Sequence, residues 1–491
     1  MTLPQILVFA TLALWVGRWT PARPWLLLAI SVLAIYWTQP ALPIRGLDFW
    51  LPTATLAVTI WVWGIARPER KEPPATGEAD AAPRAPHLPA RVLEFLRRGD
   101  QDGRAALLIA ALILGLGATR YLGPLCCVTP SRPPEFWQIA VGVGGAALLA
   151  FALRRFAAGR RGALEGAVWA LLAVFILLKT DPLAQAAALG LRALTGQSQA
   201  MASALDIRWL GFSYVAFRLI HTLRDRLAGR LPDLSLAAFV TYIIFFPAFT
   251  AGPIDRVQRF SKEFAGKPDW SGFERILWGV FKKFALADTL ALVALNGVNA
   301  SQVIHPGWLW VLVYAYALRI YFDFSGYTDI AIGLGRLMGF HLPENFERPY
   351  LKPNLTTFWN AWHITLAQWF RAYWFNPLTR ALRTGRWQPP LSVVILLGQL
   401  STMLLIGLWH GVTWNFALWG LWHGVGLFVH NRWSEATKAR FASLNDHPAA
   451  QRFLAVVGAL ATFHYVALGW VWFALPSAAL SWQTLLKLFG G

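Results

Sequence analysis

Long apolar runs recur through the 491 residues of this chain and limit what it can fold into. Most of them approach the roughly 20 residues that a helix needs to cross the hydrocarbon core of a bilayer. They are continuous, without the two-residue alternation of barrel strands, and therefore predict helices. The runs cover residues 3–19, 24–42, 49–66, 105–119, 137–153, 162–178, 207–223, 235–251, 273–298, 306–322, 391–408, 415–429 and 453–475.

The composition excludes the main soluble alternatives. Apolar residues make up 56% of the chain and charged residues 14%, against about 45–50% and about 25% in soluble domains. So much apolar surface would aggregate in water, and the two Cys residues are too few for a disulfide scaffold. We therefore expect an all-α polytopic membrane protein with roughly 11–13 transmembrane or re-entrant helices.

The basic residues lie in short clusters between the apolar runs. Lys and Arg number 44 against 25 Asp and Glu, which gives a formal net charge of +19. Pairs such as Arg154-Arg155 and Arg160-Arg161 are typical of cytoplasmic loops and of contacts with anionic lipid headgroups. We expect membrane lipids as partners and no nucleic acid. If residues 154–161 are cytoplasmic, counting helices backwards makes the segment 67–104 cytoplasmic and the N-terminus external.

Composition divides the chain into five parts. Residues 1–66 form N-terminal transmembrane helices, and residues 67–104 form a cytoplasmic linker rich in Pro and charge, with a short interfacial helix at 91–98. Residues 105–206 form the middle transmembrane helices. Residues 207–430 form the core. Within it, polar side chains at membrane depth concentrate over residues 246–430, and such side chains are expensive in hydrocarbon unless they face a protein interior. Residues 431–491 form a C-terminal loop and transmembrane helix.

The stretch GLWHGVTWNFALWGLWHG, residues 407–424, carries the first candidate for chemistry. His410 follows an almost uncharged run, 390–409. A neutral imidazole there can take a proton and return it. The flanking Gly407 and Gly411 permit close helix contacts or a bend. The alternative is a structural histidine that only forms hydrogen bonds.

A second histidine lies in NLTTFWNAWHITLAQWFRAYWFNPLTR, residues 354–380. Asn360 precedes His363 by three positions, a spacing that puts both on one helix face, and Arg371 follows eight positions later. The run ends in Asn-Pro and predicts a helix that enters the bilayer without crossing it. Its tryptophans are typical of an aromatic belt at the membrane interface. They are Trp359, Trp362, Trp369 and Trp374.

A third polar run lies in IYFDFSGYTDIAIGLGRLMGFHLPENFERPY, residues 320–350. Asp323 and Asp329 flank Ser325 and Tyr327. The two acids at the end of an apolar helix either cap it or pair with Arg336; the functional alternative is that one orients a histidine or lines a polar tunnel. The sequence has no P-loop, GxSxG, HExxH or GxGxxG motif, so we expect no bound cofactor and no metal.

Four stretches together resemble the membrane-bound O-acyltransferase family. They are FFPAFTAGPIDRVQRF, YFDFSGYTDIAIGLGRLMGFHLPENFERPY, FWNAWHITLAQWFR and GLWHGVTWNFALWGLWHG. They occur in the family's order, and the resemblance covers roughly 207–430. The likeness is to the bacterial branch that acetylates alginate or transfers D-alanine to teichoic acid. It implies a fold of helices around a central tunnel.

The resemblance also implies roles for individual residues. His410 matches the catalytic histidine of the family, and His363 matches the second histidine of its tunnel. Asp323, Ser325, Tyr327 and Asp329 match the polar run near it, and we expect the same tunnel to be lined by Asn360, Arg371, Trp409 and Asn415. One departure is Ala372, which stands where the family usually has an acid. Either the partner of Arg371 lies elsewhere, or the tunnel has changed polarity.

The resemblance finally implies an O-acyltransferase of the bacterial cytoplasmic (inner) membrane. The acyl group, acetyl or alternatively D-alanyl, would pass from a cytoplasmic thioester, acetyl-CoA or an acylated carrier protein. It would reach hydroxyls of an extracytoplasmic polysaccharide or teichoic-acid-like polymer, directly or through a periplasmic partner acyltransferase. Two other classes stay open: a proton-coupled transporter or flippase that uses the same histidines and acids as a relay, and a non-catalytic scaffold of a polysaccharide-export complex.

Overall fold

The computed structural model describes residues 1–18, 22–67, 101–123, 126–441 and 447–491. Within these ranges the chain is helical, and its sheet pairing is limited to one isolated bridge between Phe346 and Trp362. Most of the expected linker 67–104, with the interfacial helix expected at 91–98, lies outside the described residues. Its last four residues, 101–104, belong to a helix.

Helices of the N-terminal part follow the apolar runs within a few residues. Arg154 and Arg155 end one of these helices and Arg161 begins the next, so a basic turn separates two apolar spans. The helices are α1 Leu3–Arg18, α2 Arg23–Thr38, α3 Leu47–Ala66, α4 Gln101–Ala118, α5 Phe136–Phe156, α6 Arg161–Lys179, α7 Asp181–Leu194, α8 Phe212–Leu227, α9 Leu236–Ile243 and α10 Val257–Phe260.

Helices of the C-terminal part are more often interrupted. They are α11 Ser271–Val280, α12 Asp288–Ala291, α13 Gly297–Gln302, α14 Pro306–Leu337, α15 Leu355–Ala361, α16 Ile364–Phe370, α17 Asn376–Thr384, α18 Leu391–His410, α19 Trp414–Phe441, α20 Pro448–Ala474 and α21 Ala478–Leu488. The π-helical segments Phe281–Ala287 and Arg371–Phe375 follow α11 and α16. The run predicted as one helix over 273–298 is therefore broken into shorter pieces.

Six helices among the described residues are long and apolar enough to cross a membrane: Leu47–Ala66, Gln101–Tyr121, Phe136–Phe156, Arg161–Lys179, Leu391–His410 and Pro448–Ala474. Shorter apolar helices cover Leu3–Arg18, Arg23–Thr38 and Leu236–Ala248. Large apolar side chains lie exposed on α5 and α6, among them Leu148 and Trp169, as expected for surfaces that face lipid. The prediction of an all-α polytopic membrane protein is confirmed.

Two large hydrophobic cores organise the protein. The first joins α1–α6 to α8, α9 and the C-terminal half of α14. The second is rich in tryptophan and lies between α14–α16 and α18–α21, with Trp362, Trp419 and Trp470 near its centre. Within it α18 and α19 form a close hairpin, because a Cβ added at Gly407 or Gly420 would clash with the backbone of the facing helix. The close contact predicted at Gly407 is confirmed.

Candidate active site

His410 is the last residue of α18, directly before the turn that leads into α19. Its imidazole is enclosed by aromatic rings from three helices. The ring centroids of Trp409 and Phe473 lie 4.4 Å and 4.7 Å from its own, and those of Phe416 and Trp419 each lie 5.8 Å away. An apolar enclosure of this kind limits the access of water to the ring.

His363 occupies a break between two short helices. Its φ of +44° is left-handed, a conformation that non-glycine residues adopt rarely and that clusters at functional sites. The side chain is 4% exposed and packs edge-on against Phe324 at 4.7 Å. The helix face predicted to hold both Asn360 and His363 is wrong, because α15 ends at Ala361 and the chain turns before His363.

Asn345 holds this break in place with both of its oxygens. Its backbone oxygen accepts the Ile364 N–H at 2.9 Å. Its Oδ1 accepts the backbone N–H of Thr365 at 3.2 Å and the Thr365 hydroxyl at 2.9 Å. The same Oδ1 lies 3.1 Å from His363 Nδ1. A backbone N–H can only donate, so the amide oxygen is identified, and Nδ1 must donate to it.

The tautomer of His363 follows from this contact. Because Nδ1 carries the proton, Nε2 of the neutral ring carries a lone pair. Nε2 is buried and has no hydrogen-bond partner among the described residues. His363 therefore presents a free proton acceptor to the centre of the second core.

Trp409 contacts both histidines. Its ring centroid is 6.2 Å from that of His363 and 4.4 Å from that of His410, so one indole packs against both imidazoles. Trp409 Nε1 is a buried donor for which the described part of the chain supplies no partner. The structure thus brings together three of the residues predicted from sequence.

Unpaired polar atoms continue from this pair of histidines through neighbouring rings. Trp419 touches both His410 and His423, and Trp359 touches His423 at a centroid distance of 5.0 Å. In the part of the chain that the structure describes, Trp359 Nε1, Trp419 Nε1 and both His423 nitrogens lack partners. Buried polar groups are normally satisfied by protein, water or ligand. Water or substrate beside the histidines would therefore supply the partners that these adjoining nitrogens lack.

The acids of the third polar run make different contacts from those expected. Asp329 is buried and pairs with Arg275 and Lys282, each at 2.6 Å, while the half-exposed Asp323 pairs with Lys283. They lie within the long helix α14, not at its end. The expected pairing with Arg336 is wrong for both, because the cations come from α11 and the π-helical segment packed alongside.

Tyr327 and Ser325 lie on the same helix as these acids. The Tyr327 hydroxyl hydrogen-bonds Thr250 and borders a small cavity between α1, α2 and residues 246–250, whose lining includes neither His363 nor His410. Ser325 Oγ is buried without a partner among the described residues. Among residues 323–329, the ring that contacts His363 is that of Phe324.

The comparison with known families decides what kind of protein carries this arrangement. The model described as MBOAT, membrane-bound O-acyltransferase family, matches residues 190–468. The chain belongs to the membrane-bound O-acyltransferase family. The match contains both histidines, Asn345 and Trp409.

Curated relatives come from both branches of the family that the sequence resembles. A probable alginate O-acetylase, AlgI, of Pseudomonas aeruginosa is 34% identical over 287 residues, which cover 57% of this chain and 51% of the relative. The protein of the same description from Pseudomonas syringae pv. tomato is 38% identical over 175 residues, 34% of each chain. A teichoic acid D-alanyltransferase of Streptococcus thermophilus is 32% identical over 189 residues, 36% of this chain and 45% of the relative. The matches thus span about half of each relative's length or less.

The departure from the family at Ala372 has a structural counterpart. Arg371 is exposed, and its Nη2 donates to Asn360 Oδ1 at 2.7 Å. Its partner therefore lies elsewhere, eleven residues earlier in the chain. The belt interpretation of the neighbouring tryptophans is wrong for Trp362, which is 5% exposed within the second core.

In this member of the O-acyltransferase family, the side-chain Nδ2 of Asn415 has three hydrogen-bond acceptors around it. Its Nδ2 lies 3.1 Å from Trp472 O, 2.8 Å from Leu475 O and 3.1 Å from Ser481 Oγ. These contacts tie the start of α19 to the end of α20 and to α21. Asn415 thereby supports the hairpin that carries His410.

Sequence reasoning missed two residues of this site. Asn345 lies 18 positions before His363 in a loop after α14, and no local pattern joins the two. His423 could have been found, because GLWHG occurs twice, at 407–411 and 420–424. No group of three or more His, Cys, Asp or Glu that could hold a metal ion occurs among the described residues.

Proposed function

We propose that this protein is an O-acyltransferase that moves an acyl group from a thioester to a hydroxyl of a cell-envelope polymer. Acetyl is the broader expectation for the acyl group, and D-alanyl is the sharper alternative. One observation carries the proposal: the Trp409 indole contacts both His363 and His410, and buried polar atoms without partners among the described residues adjoin it.

His410 acts as the general base. It takes the proton of the acceptor hydroxyl while the hydroxyl oxygen attacks the thioester carbonyl carbon. The tetrahedral intermediate collapses by breaking the carbon–sulfur bond, and the proton on His410 passes to the departing thiolate. The ester bond replaces the thioester bond, and the ring is neutral again. Direct transfer needs no Ser or Cys nucleophile.

The developing oxyanion needs a hydrogen-bond donor in a water-poor site. The neutral tautomer of His363 cannot donate from Nε2, because its proton is on Nδ1, toward Asn345. We assign the donor role to Trp409 Nε1, which is buried and unpaired among the described residues. His363 Nε2 accepts a hydrogen bond from the substrate or, once protonated, adds a second donor.

Two basic clusters support an acceptor that arrives from outside the cell. Arg160 and Arg161 stand at the start of α6, and Arg383 and Arg386 stand shortly before the start of α18. The positive-inside rule places both starts in the cytoplasm. The far ends of these spans meet at His410, since the Val412 N–H donates to Lys179 O at 3.0 Å.

This orientation suits a thioester that enters from the cytoplasm of a bacterial inner membrane. Acetyl-CoA and an acylated carrier protein are the two donor types in question. The acceptor is an extracytoplasmic polysaccharide or a teichoic-acid-like polymer, reached directly or through a periplasmic partner acyltransferase. The names of relatives from both branches support this substrate class.

Deletion of the gene in its native host, followed by complementation, tests the proposal. Alkali-labile acetyl and D-alanyl esters of the envelope and secreted polymers are quantified. We expect one of the two esters to be lost, restored by the wild-type gene and not by His410→Ala. Unchanged ester content would contradict the proposal. Restoration by His410→Ala at normal expression would favour the scaffold.

A further inference from the structure

Lys179 lies beside His410 although it comes from outside the region that matches the family, which begins at residue 190. It is the last residue of α6. Its Nζ lies 3.5 Å from the backbone oxygen of His410, and its own backbone oxygen accepts the Val412 N–H at 3.0 Å. These two contacts hold the Lys179 ammonium beside the backbone of His410, whose imidazole we assign as the base.

The charge of Lys179 has no counter-ion in the part of the chain that the structure describes. No carboxylate there lies within ion-pair distance of its Nζ, whereas Lys282 and Lys283 are both paired with acids. Asp181 follows two positions later but is exposed and forms no ion pair with it. The ring of Phe175 lies with its centroid 5.9 Å from Nζ.

The hydroxyl group of Thr180 follows Lys179 in the chain and lacks a hydrogen-bond partner among the described residues. Its Oγ1 is buried, and it does not cap α7. Partly desolvated ammonium groups are costly unless an anion or several acceptors compensate them. A cation without a carboxylate partner and a hydroxyl group without a hydrogen-bond partner among the described residues, adjacent in the chain, form a site suited to an anionic oxygen group.

We propose that Lys179 binds an anionic group of the acceptor polymer, a carboxylate or a phosphate, and so positions a neighbouring hydroxyl at His410. The inference rests on the proposed function and adds the charge class of the acceptor. It makes Lys179 a determinant of acceptor specificity. The base, the oxyanion donor and the thioester chemistry are unchanged by it.

A purely structural role would look different. A lysine near the C-terminal end of α18 can cap the last carbonyls of that helix and interact with its dipole. Lys179→Gln retains an amide donor for the His410 carbonyl and removes the charge, whereas Lys179→Arg retains the charge. The two variants therefore separate capping from anion binding. Lys487→Gln, which removes a cation from α21, is the matched control.

The test measures transfer by the purified full-length protein to charged and neutral acceptors. The carboxylate arm uses a uronic-acid oligosaccharide and its methyl ester, and the phosphate arm uses a glycerol-phosphate oligomer and glycerol. With the anionic acceptor that the wild type uses, we expect Lys179→Gln to raise KM about tenfold. Lys179→Arg should retain most of the wild-type affinity. KM for the matching neutral acceptor and all values for Lys487→Gln should stay unchanged.

Two results would overturn the inference. One is a KM for the anionic acceptor that Lys179→Gln leaves unchanged. The other is an equal loss of kcat with anionic and neutral acceptors, which would assign Lys179 to capping. Absence of transfer by the wild type to all four acceptors, with either thioester, would contradict direct transfer by this protein and this inference with it.

Discussion

Asn345 Oδ1 lies 3.1 Å from His363 Nδ1, and this one contact determines which nitrogen of the imidazole is free. The same oxygen also accepts from the backbone and the hydroxyl of Thr365. Asn345 therefore fixes both the tautomer of His363 and the start of the helix that follows it.

Replacing Asn345 tests this positioning role. Asn345→Ala leaves three buried donors unpaired, so we expect it to lower kcat about tenfold or more and to lower the melting temperature. Asn345→Asp keeps an acceptor oxygen in place and should retain more activity than the alanine variant. The kcat and the melting temperature of both purified variants are compared with those of the wild type. Equal activity of Asn345→Ala and wild type would exclude the role.

His363 itself should tolerate a polar replacement better than an apolar one. His363→Ala is expected to lower transfer by about 100-fold or more. His363→Gln keeps a polar group that can meet Asn345 or the substrate and should lose less. Initial rates of ester formation compare the two. Equal losses would assign His363 to proton transfer or to packing.

Trp409→Phe removes the indole N–H and keeps an aromatic ring in contact with both histidines. We expect kcat to fall about 100-fold, the usual effect of losing one oxyanion donor, with the fold retained. Trp374→Phe is the control, because its Nε1 donates to Ser401 on an exposed surface. The same kcat for Trp409→Phe and Trp374→Phe would mean that the oxyanion has another donor.

The two acids of α14 should differ in their effect on stability. Asp329→Asn breaks two ion pairs of a carboxylate that is 6% exposed, at a cost on the order of 2 kcal/mol. Asp323→Asn breaks one pair of a carboxylate that is 51% exposed, which should cost less than about 1 kcal/mol. Thermal unfolding in detergent measures both. A larger loss of stability for Asp323→Asn would contradict the expectation that the buried ion pairs of Asp329 contribute more than the exposed pair of Asp323.

Much of the architecture could be predicted because each membrane span corresponds to one continuous run of apolar residues about as long as the bilayer is thick. The helices α3, α5, α6 and α18 begin and end close to the predicted runs. His410 stood out because it directly follows such a run, where polar side chains are rare, and His363 because it matches the second histidine of the family's tunnel.

The contacts of the site could not be predicted, because they join distant parts of the chain. The spacing from Asn360 to His363 fits a continuous helix, yet α15 ends at Ala361 and His363 takes a left-handed conformation before the next helix. That break is fixed by hydrogen bonds to Asn345, which lies in a loop. The partners of Asp329 likewise come from α11 and the π-helical segment after it, and no spacing rule connects them.

The rate of acyl transfer by purified His410→Ala, with a labelled thioester donor and a hydroxyl acceptor, tests the central claim most directly. Loss of a general base predicts a rate about 100- to 10,000-fold below that of the wild type. The variant should still fold, with a melting temperature lowered only by the lost ring packing, because the ring forms no side-chain hydrogen bond with the part of the chain that the structure describes. A well-folded variant that retains more than about a tenth of the wild-type rate would contradict the assignment of His410 as the base.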